Sequence, residues 1–466
     1  MGADIQQTSH HLARQRERSL KKNAYYYSRL FKQYRYLIPP GKKVLEVGCR
    51  TGELLNAVQP ACGWGIDVNP EMIRVAKERF AYLHFQSGEV TALDQEQKFD
   101  YIILSGMLGE LDDIQTFLTQ LRVHCHPDTR LIIEYYSYLW IYFFRLAEKL
   151  KIKIPQRILN WMTPVDIANF LHLTGYEAIR MERKILCPFN VPLISPWLNK
   201  YIGNLPLFDR LTMNYFIIAR PLMPLLNERR VTIVIPCRNE KGNIEAAIRR
   251  TPSFGTHQEF IFIEGGSRDG TPDEIRRVMQ AYPHKDIKFF QQTGKGKGDA
   301  IRLGFEKAQG EVLMILDADL TVAPEDLPKF YQALQENKGE FINGCRLVYP
   351  VEKQAMRFLN LVANKLFSIF FTWLLGQNFK DTLCGTKVLS KHHYAALARN
   401  RSYFGNFDPF GDFDLIFGAT KLNLKIIELP VRYHERQYGQ TQIRRFYHGL
   451  LLFKMCFFAL RKIKLR

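Results

Sequence analysis

The run Val312-Leu-Met-Ile-Leu-Asp317-Ala-Asp319 narrows what this chain can fold into more than any other feature. Five consecutive apolar residues read as a buried strand, and two acidic residues at i and i+2 follow at once. Carboxylates leaving a buried strand are costly unless something offsets their charge. A magnesium or manganese ion, bound through oxygen, does so, and Asp317 and Asp319 are its candidate ligands. An isolated D-x-D is mostly a surface turn, so the surrounding motifs decide.

At 466 residues the chain exceeds the size at which one core keeps growing, and two domains are expected. The pattern breaks at Pro221 and Pro224, followed by the charged Glu228-Arg-Arg230. The expected division is a basic, Tyr-rich helical lead-in over residues 1–40, an α/β domain over 41–220, a linker over 221–230 and a second α/β domain over 231–466. In the first domain, strand-like residues 44–47, 63–67, 101–104 and 131–134 alternate with helical patterns over 70–80 and 112–124. That rhythm predicts a parallel, doubly wound sheet. The second opens with a strand at 231–235, a helix at 240–250 and strands at 259–263 and 312–316.

Lysine and arginine outnumber aspartate and glutamate by 65 to 46, a formal charge of +19, which favours an anionic partner. Nucleic acid is set aside because no zinc finger, RNP or helix-turn-helix pattern accompanies the charge. An anionic membrane surface and nucleotide phosphates remain. The eight cysteines are scattered without a C-x-x-C pair, which argues against a disulfide framework or structural zinc and points to a reducing compartment. His124-Cys125-His126 invites a metal reading, but adjacent side chains point to different faces.

In the first domain, E-V-G-C-R-T-G from Glu46 to Gly52 follows a strand, where small residues let the backbone approach a ligand and the next helix N-terminus face it. Gly65-Ile66-Asp67 then ends the next strand on a carboxylate about 20 residues on, suited to ribose hydroxyls. Ser87-Gly88-Glu89 and Phe99-Asp100-Tyr101 come next. Singly, each is a tight turn, a helix cap or a solvated loop; their joint order carries the signal. With V-L-E-V-G-C-x-T-G, G-I-D-V-N-P-E-M-I and F-D-Y-I-I-L in family order, residues 41–175 resemble class I S-adenosylmethionine-dependent methyltransferases. The resemblance implies that Glu46, Gly48 and Gly52 line the methionine end of that cofactor, that Asp67 holds the ribose and that Glu89 lies near the adenine. Arg50 stands where relatives usually have glycine. It motivates an alternative in which this domain is a non-catalytic binding or scaffolding module.

In the second domain, Pro236, Asn239 and Glu240 leave the first strand, and Glu264-Gly-Gly-Ser267-Arg-Asp269-Gly-Thr leaves the next. The basic loop Gly294-Lys295-Gly-Lys297-Gly298 opens a helix, and its amides and lysines suit phosphates. D-A-D-L from Asp317, N-G-C-R from Asn343 to Arg346 and D-T-L-C-G-T-K from Asp381 to Lys387 complete the set. Residue 231 onwards resembles the GT-A domain of family 2 glycosyltransferases, nearest the polyprenyl- and dolichyl-phosphate mannosyl- and glucosyltransferases. By that resemblance Asp317 and Asp319 carry the metal, Glu264 and Asp269 bind the nucleoside and Arg346 lies near the acceptor. Asp381 and Lys387, in the family's motif, are grouped with the substrate-binding residues. Two departures stand out: Glu264 replaces the usual aspartate, and Tyr438-Gly-Gln-Thr441 only approximates G-x-S-K. Among Asp408, Asp412 and Asp414, one carboxylate is the candidate general base for a sugar hydroxyl acceptor; an ionised acceptor phosphate needs none.

The segments 356–379 and 446–460 are apolar and aromatic, with basic flanks. They read as helices lying in a membrane interface, with core or dimer helices as the alternative. No run reaches the length of a spanning helix, and residues 1–7 lack the apolar core of a signal peptide. The expectation is a peripheral protein on the cytoplasmic side of a membrane. It would transfer sugar, with inversion, from a UDP- or GDP-sugar to a polyprenyl phosphate or other lipid-linked acceptor, and methylate an unknown acceptor.

Overall fold

A computed structural model of the chain describes residues 15–150, 160–223, 227–349, 358–401, 413–439 and 445–466. The chain forms two compact units that part between Met223 and Pro224. Among the described residues no helix is long and apolar enough to cross a membrane.

The first unit is built on seven strands: β1 (Lys43–Val47), β2 (Cys62–Asp67), β3 (His84–Ser87), β4 (Tyr101–Ser105), β5 (Arg130–Tyr136), β6 (Tyr176–Lys184) and β7 (Asn214–Pro221). Their order is β3-β2-β1-β4-β5-β7-β6. Ile102, Ile103 and Leu104 are fully buried, which is why β4 reads as a continuous apolar run. Strands β1 to β5 run parallel, but β7 pairs antiparallel with both β5 and β6. The sheet is therefore mixed, not wholly parallel as the alternating rhythm suggested. After β6 the chain turns back through residues 185–213 without a full crossover, so β7 enters between β5 and β6 in the opposite direction. The strand order reverses between β1 and β4, and ligands of such sheets bind at the carboxyl ends of the strands there.

Local chemistry sets the helix beside this point. Asn69 accepts from the backbone of Glu71 and Met72 at 3.0 and 3.3 Å, and Pro70 begins the helix Pro70–Arg79, as expected of an N-cap followed by proline. The helix Ile114–Leu121 likewise starts only after Asp113, which caps it from outside.

The second unit has β8 (Val231–Cys237), β9 (Gln258–Glu264), β10 (Asp286–Gln291), β11 (Val312–Ile315), β12 (Phe341–Cys345), β13 (Lys387–Ser390) and β14 (Ile426–Pro430). The order is β10-β9-β8-β11-β13-β12-β14, again mixed, with β13 antiparallel to both neighbours. The reversal falls between β8 and β11. Helices Phe358–Leu375 and Arg445–Ile463 send Phe371, Leu374, Met455 and Ala459 into this unit's core. Leu366, Ile369, Phe453 and Phe457 face outward and are exposed.

Candidate active sites

At the carboxyl end of β1, Glu46 is buried, and burial pushes its carboxyl up to about 8. Among the described residues its Oε2 has no hydrogen-bond partner, an open polar atom in a dry place. Gly48 and Gly52 follow with φ of +71° and +82°. A Cβ on Gly52 would come within 2.7 Å of the Phe85 ring, so conformation and space both require glycine there. Arg50 also takes positive φ, at +51°, a conformation glycine adopts without strain. Its backbone N–H donates to Asp67 Oδ2 at 2.9 Å, while Asn69 N–H donates to Oδ1 at 2.9 Å. These two bonds fix the Asp67 carboxylate at the end of β2 and leave it lone pairs for further donors. The Arg50 guanidinium lies 4.0 Å from Glu110. Glu89 is exposed just after β3.

A cluster at the ends of β4, β5 and β7 adds Glu134 and Asn214, which motif reading missed, to Ser105. Glu134 is buried, and burial raises its carboxyl above the usual range. It accepts from Ser105 Oγ at 3.1 Å and from Asn214 Nδ2, and Asn214 also donates to the Tyr26 hydroxyl at 3.0 Å. The available signal was a glutamate inside the apolar strand Leu131-Ile-Ile-Glu134. The residues His124, Cys125 and His126 each find a different partner, respectively Gln97, Tyr176 and Asp100.

In the second unit the loops after β8 and β9 are pinned to one another. Asn239 N–H donates to Ser267 Oγ at 2.8 Å, and Arg268 N–H donates to Asn239 Oδ1 at 2.8 Å. Glu264, buried at the end of β9, accepts from Ser267 N–H at 2.5 Å. Asp269 accepts from Lys241 N–H at 3.1 Å, Thr271 N–H at 3.0 Å and the Tyr438 hydroxyl at 3.2 Å. Burial acts against the charged form of Asp269, but these bonds hold it below the usual carboxylate range. Pro236 is partly buried in β8, and Glu240 is buried just beyond it.

Asp317 and Asp319 emerge immediately past β11, next to β8, and each carries one cation. Lys297 Nζ sits 2.5 Å from Asp317 Oδ1. Arg436 reaches Asp319 at 2.7 Å and Glu240 at 3.0 Å; nothing in its local sequence marked it. Lys295 is exposed just before the helix Gly296–Lys307 that holds Lys297. A Cβ on Gly385 would overlap Asp317 Oδ2, so the D-T-L-C-G-T-K loop lies directly against the first carboxylate.

Asp381 is fully buried and grips Arg346 through two bonds of 2.7 and 2.9 Å, while the guanidinium stacks 5.0 Å over Tyr433. Although burial opposes its charge, Arg346 holds the Asp381 carboxyl below its ordinary value. Lys387 is buried and donates to the Cys384 carbonyl. Both residues therefore shape the loop behind Asp317 from within the protein. Asp414 faces Arg302 at 3.5 Å and Arg401 at 4.0 Å. Asp408, Asp412 and Thr441 lie outside the described residues. All eight cysteines are free.

Comparison with known proteins finds a family model for a stretch of each unit. Residues 12–180 match the family model described as a methyltransferase domain, and residues 232–405 match that of glycosyl transferase family 2. Among solved structures, glucosyl-3-phosphoglycerate synthase from Mycobacterium tuberculosis, crystallised with Mn2+, UDP and glucosyl-3-phosphoglycerate, aligns at 18% identity and a TM-score of 0.38, covering 50% of this chain and 80% of that one. A SAM-dependent methyltransferase from Thermotoga maritima, a possible histamine N-methyltransferase, aligns at 14% identity and a TM-score of 0.36, covering 46% and 97%. The chain thus joins a methyltransferase domain to a family 2 glycosyl transferase domain, each with its charged residues gathered where the strand order of its sheet reverses.

Proposed function

We propose that the C-terminal unit transfers a sugar, with inversion, from a UDP- or GDP-sugar to a polyprenyl phosphate or other lipid-linked acceptor, and that the N-terminal unit transfers a methyl group from S-adenosylmethionine. The observation that carries the first half is the carboxylate pair Asp317 and Asp319 beside β8, paired with the cations Lys297 and Arg436 respectively. Two carboxylates suit Mg2+ or Mn2+, leaving other positions to water and phosphate; Asp317 and Asp319 would hold the ion, which supplies charge neutralisation for the departing diphosphate. Lys297 and Arg436 are then freed to bind phosphate oxygens. Asn239, Ser267 and Asp269 form the floor for the nucleoside.

The lipid acceptor is supported by the outward face of helix Arg445–Ile463, where Phe453 and Phe457 are exposed together with Lys454 and Arg461. Apolar rings flanked by cations suit an anionic bilayer surface.

The test is transfer from radiolabelled UDP- and GDP-sugars into organic-extractable lipid, using the full chain, polyprenyl phosphate and Mn2+ or Mg2+. Label in lipid that chelation removes is the expected result. Release of nucleotide diphosphate with only a soluble acceptor would overturn the lipid acceptor and keep the glycosyl transfer.

For the N-terminal unit, Glu46 with its open Oε2 and the fixed Asp67 carboxylate support S-adenosylmethionine binding. Arg50 favours the second reading, a module that binds or scaffolds without catalysis. Calorimetry separates them: micromolar binding that Asp67→Ala removes sinks the scaffold, and no binding sinks the methyltransferase activity.

A further inference from the structure

The short helix Ile194–Lys200 of the first unit is inside out. Its inward residues are polar: Ser195 and Asn199 are buried. Asn199 accepts from Leu186 and Cys187 N–H at 2.7 and 2.9 Å and donates to the Tyr25 hydroxyl at 3.0 Å. Its outward side shows Ile194 at 56% and Trp197 at 53% exposed, and Leu193, just before it, is 87% exposed. An ordinary surface helix does the reverse.

Leu193 is held in place at a cost in backbone strain. Its φ is +63°, and Ile194 N–H donates to the Pro192 carbonyl at 2.7 Å across it, the three-residue turn that is strained for a side-chain-bearing residue. The exposed leucine is thus presented by a strained, hydrogen-bonded frame.

A second segment beside it behaves alike. Helix Ile141–Lys149 buries Ile141 and Phe144 but leaves Tyr142 72% and Phe143 63% exposed. The second segment meets the loop that follows the first, where Trp140 Nε1 donates to the Leu211 carbonyl at 2.9 Å and Ser137 N–H to the Met213 carbonyl at 2.7 Å, and Leu205, Leu207 and Leu211 of that loop are exposed. The exposed apolar and aromatic side chains of the two segments and of the loop that joins them make a surface of the kind that marks an interaction site.

We propose that this surface docks the methyltransferase unit onto an anionic lipid surface. Tryptophan and tyrosine are the side chains that prefer the membrane interface. Exposed Arg145, Lys149, Lys200 and Arg210 border the patch, and anionic headgroups complement them. A second copy of a chain with net charge +19 meets repulsion instead.

The experiment is flotation of the full chain with vesicles of phosphatidylcholine containing one third phosphatidylglycerol, in a background carrying Phe453→Ser and Phe457→Ser so that the C-terminal helices do not mask the result. Adding L193S/W197S lowers partitioning about ten-fold or more. Brominated lipids quench the tryptophan emission of the parent, and Trp197→Phe removes part of that quenching. Unchanged partitioning with unchanged quenching overturns the proposal, as does a change from dimer to monomer in L193S/W197S with vesicle binding intact, which makes the patch a contact between copies. Neither result touches S-adenosylmethionine binding, which calorimetry reads separately.

Discussion

The guanidinium of Arg436 lies 2.7 Å from the carboxylate of Asp319, 117 residues away in the chain. The same group reaches Glu240 at 3.0 Å, so one arginine ties the second carboxylate of the D-A-D to the loop after β8. A metal bound by Asp319 must displace it. Asp319→Ala is expected to lower metal-dependent nucleotide-diphosphate release by about 100-fold or more, with the unfolding midpoint nearly unchanged. Transfer retained at the parent rate would falsify the metal assignment.

Arg436→Ala separates the two duties of the arginine. Removing the competing cation raises the apparent affinity for Mn2+, while loss of a phosphate contact raises KM for the nucleotide sugar. Titrating the metal at saturating donor, and then the donor at saturating metal, reads the two effects apart. A fall in metal affinity would contradict the displacement argument.

Arg346 and Asp381 form a buried two-bond pair, and removing one member leaves the other charge uncompensated. Asp381→Ala is therefore expected to destabilise the second unit by about 3–5 kcal/mol. Urea unfolding checks this, and a loss below about 1 kcal/mol would mean the pair behaves as an exposed one.

Gly385→Ala places a methyl group on Asp317 Oδ2. The expected result is a large drop in transfer with a small change in thermal stability, because the loop shifts and moves the carboxylate with it. Equal kcat in the variant and the parent would show that the loop gives way without disturbing Asp317.

Glu46 supplies a pH dependence. Burial pushes its carboxyl up from the ordinary 4.5 to about 8 in the folded chain, so between those values the folded state holds a proton that the unfolded state releases. Stability therefore falls as pH rises through that window, by up to about 1.4 kcal/mol per pH unit. Glu46→Gln removes this slope, and thermal melts from pH 5 to 9 should diverge from the parent with the variant more stable at the alkaline end. Parallel curves would show that Glu46 is ionised throughout.

Much of both candidate sites was legible in the chain. The strand-then-loop motifs at Glu46 to Gly52, Asp67, Glu240, Asp269 and Asp317 to Asp319 stand beside strand ends in the structure, because such motifs are local: an apolar run, then the small or charged residues a turn requires. Arg436 was not legible, since nothing in Arg432-Tyr-His-Glu-Arg436 indicates which carboxylate it meets. The mixed sheets were not legible either. A strand's own pattern records how deeply it is buried, whereas its direction depends on the path of the chain between strands.

By itself, then, the sequence determined the two α/β units, the order of most strands and helices, and the loops that carry charge, because periodicity and turn chemistry act over a few residues. Only the tertiary structure decided which charges meet: Lys297 with Asp317, Arg436 with Asp319, Asn214 with Glu134. It also decided that Ser195 and Asn199 turn inward while Leu193 and Trp197 face solvent. Partners of that kind are chosen by the elements that topology brings side by side, across separations at which local patterning carries no information.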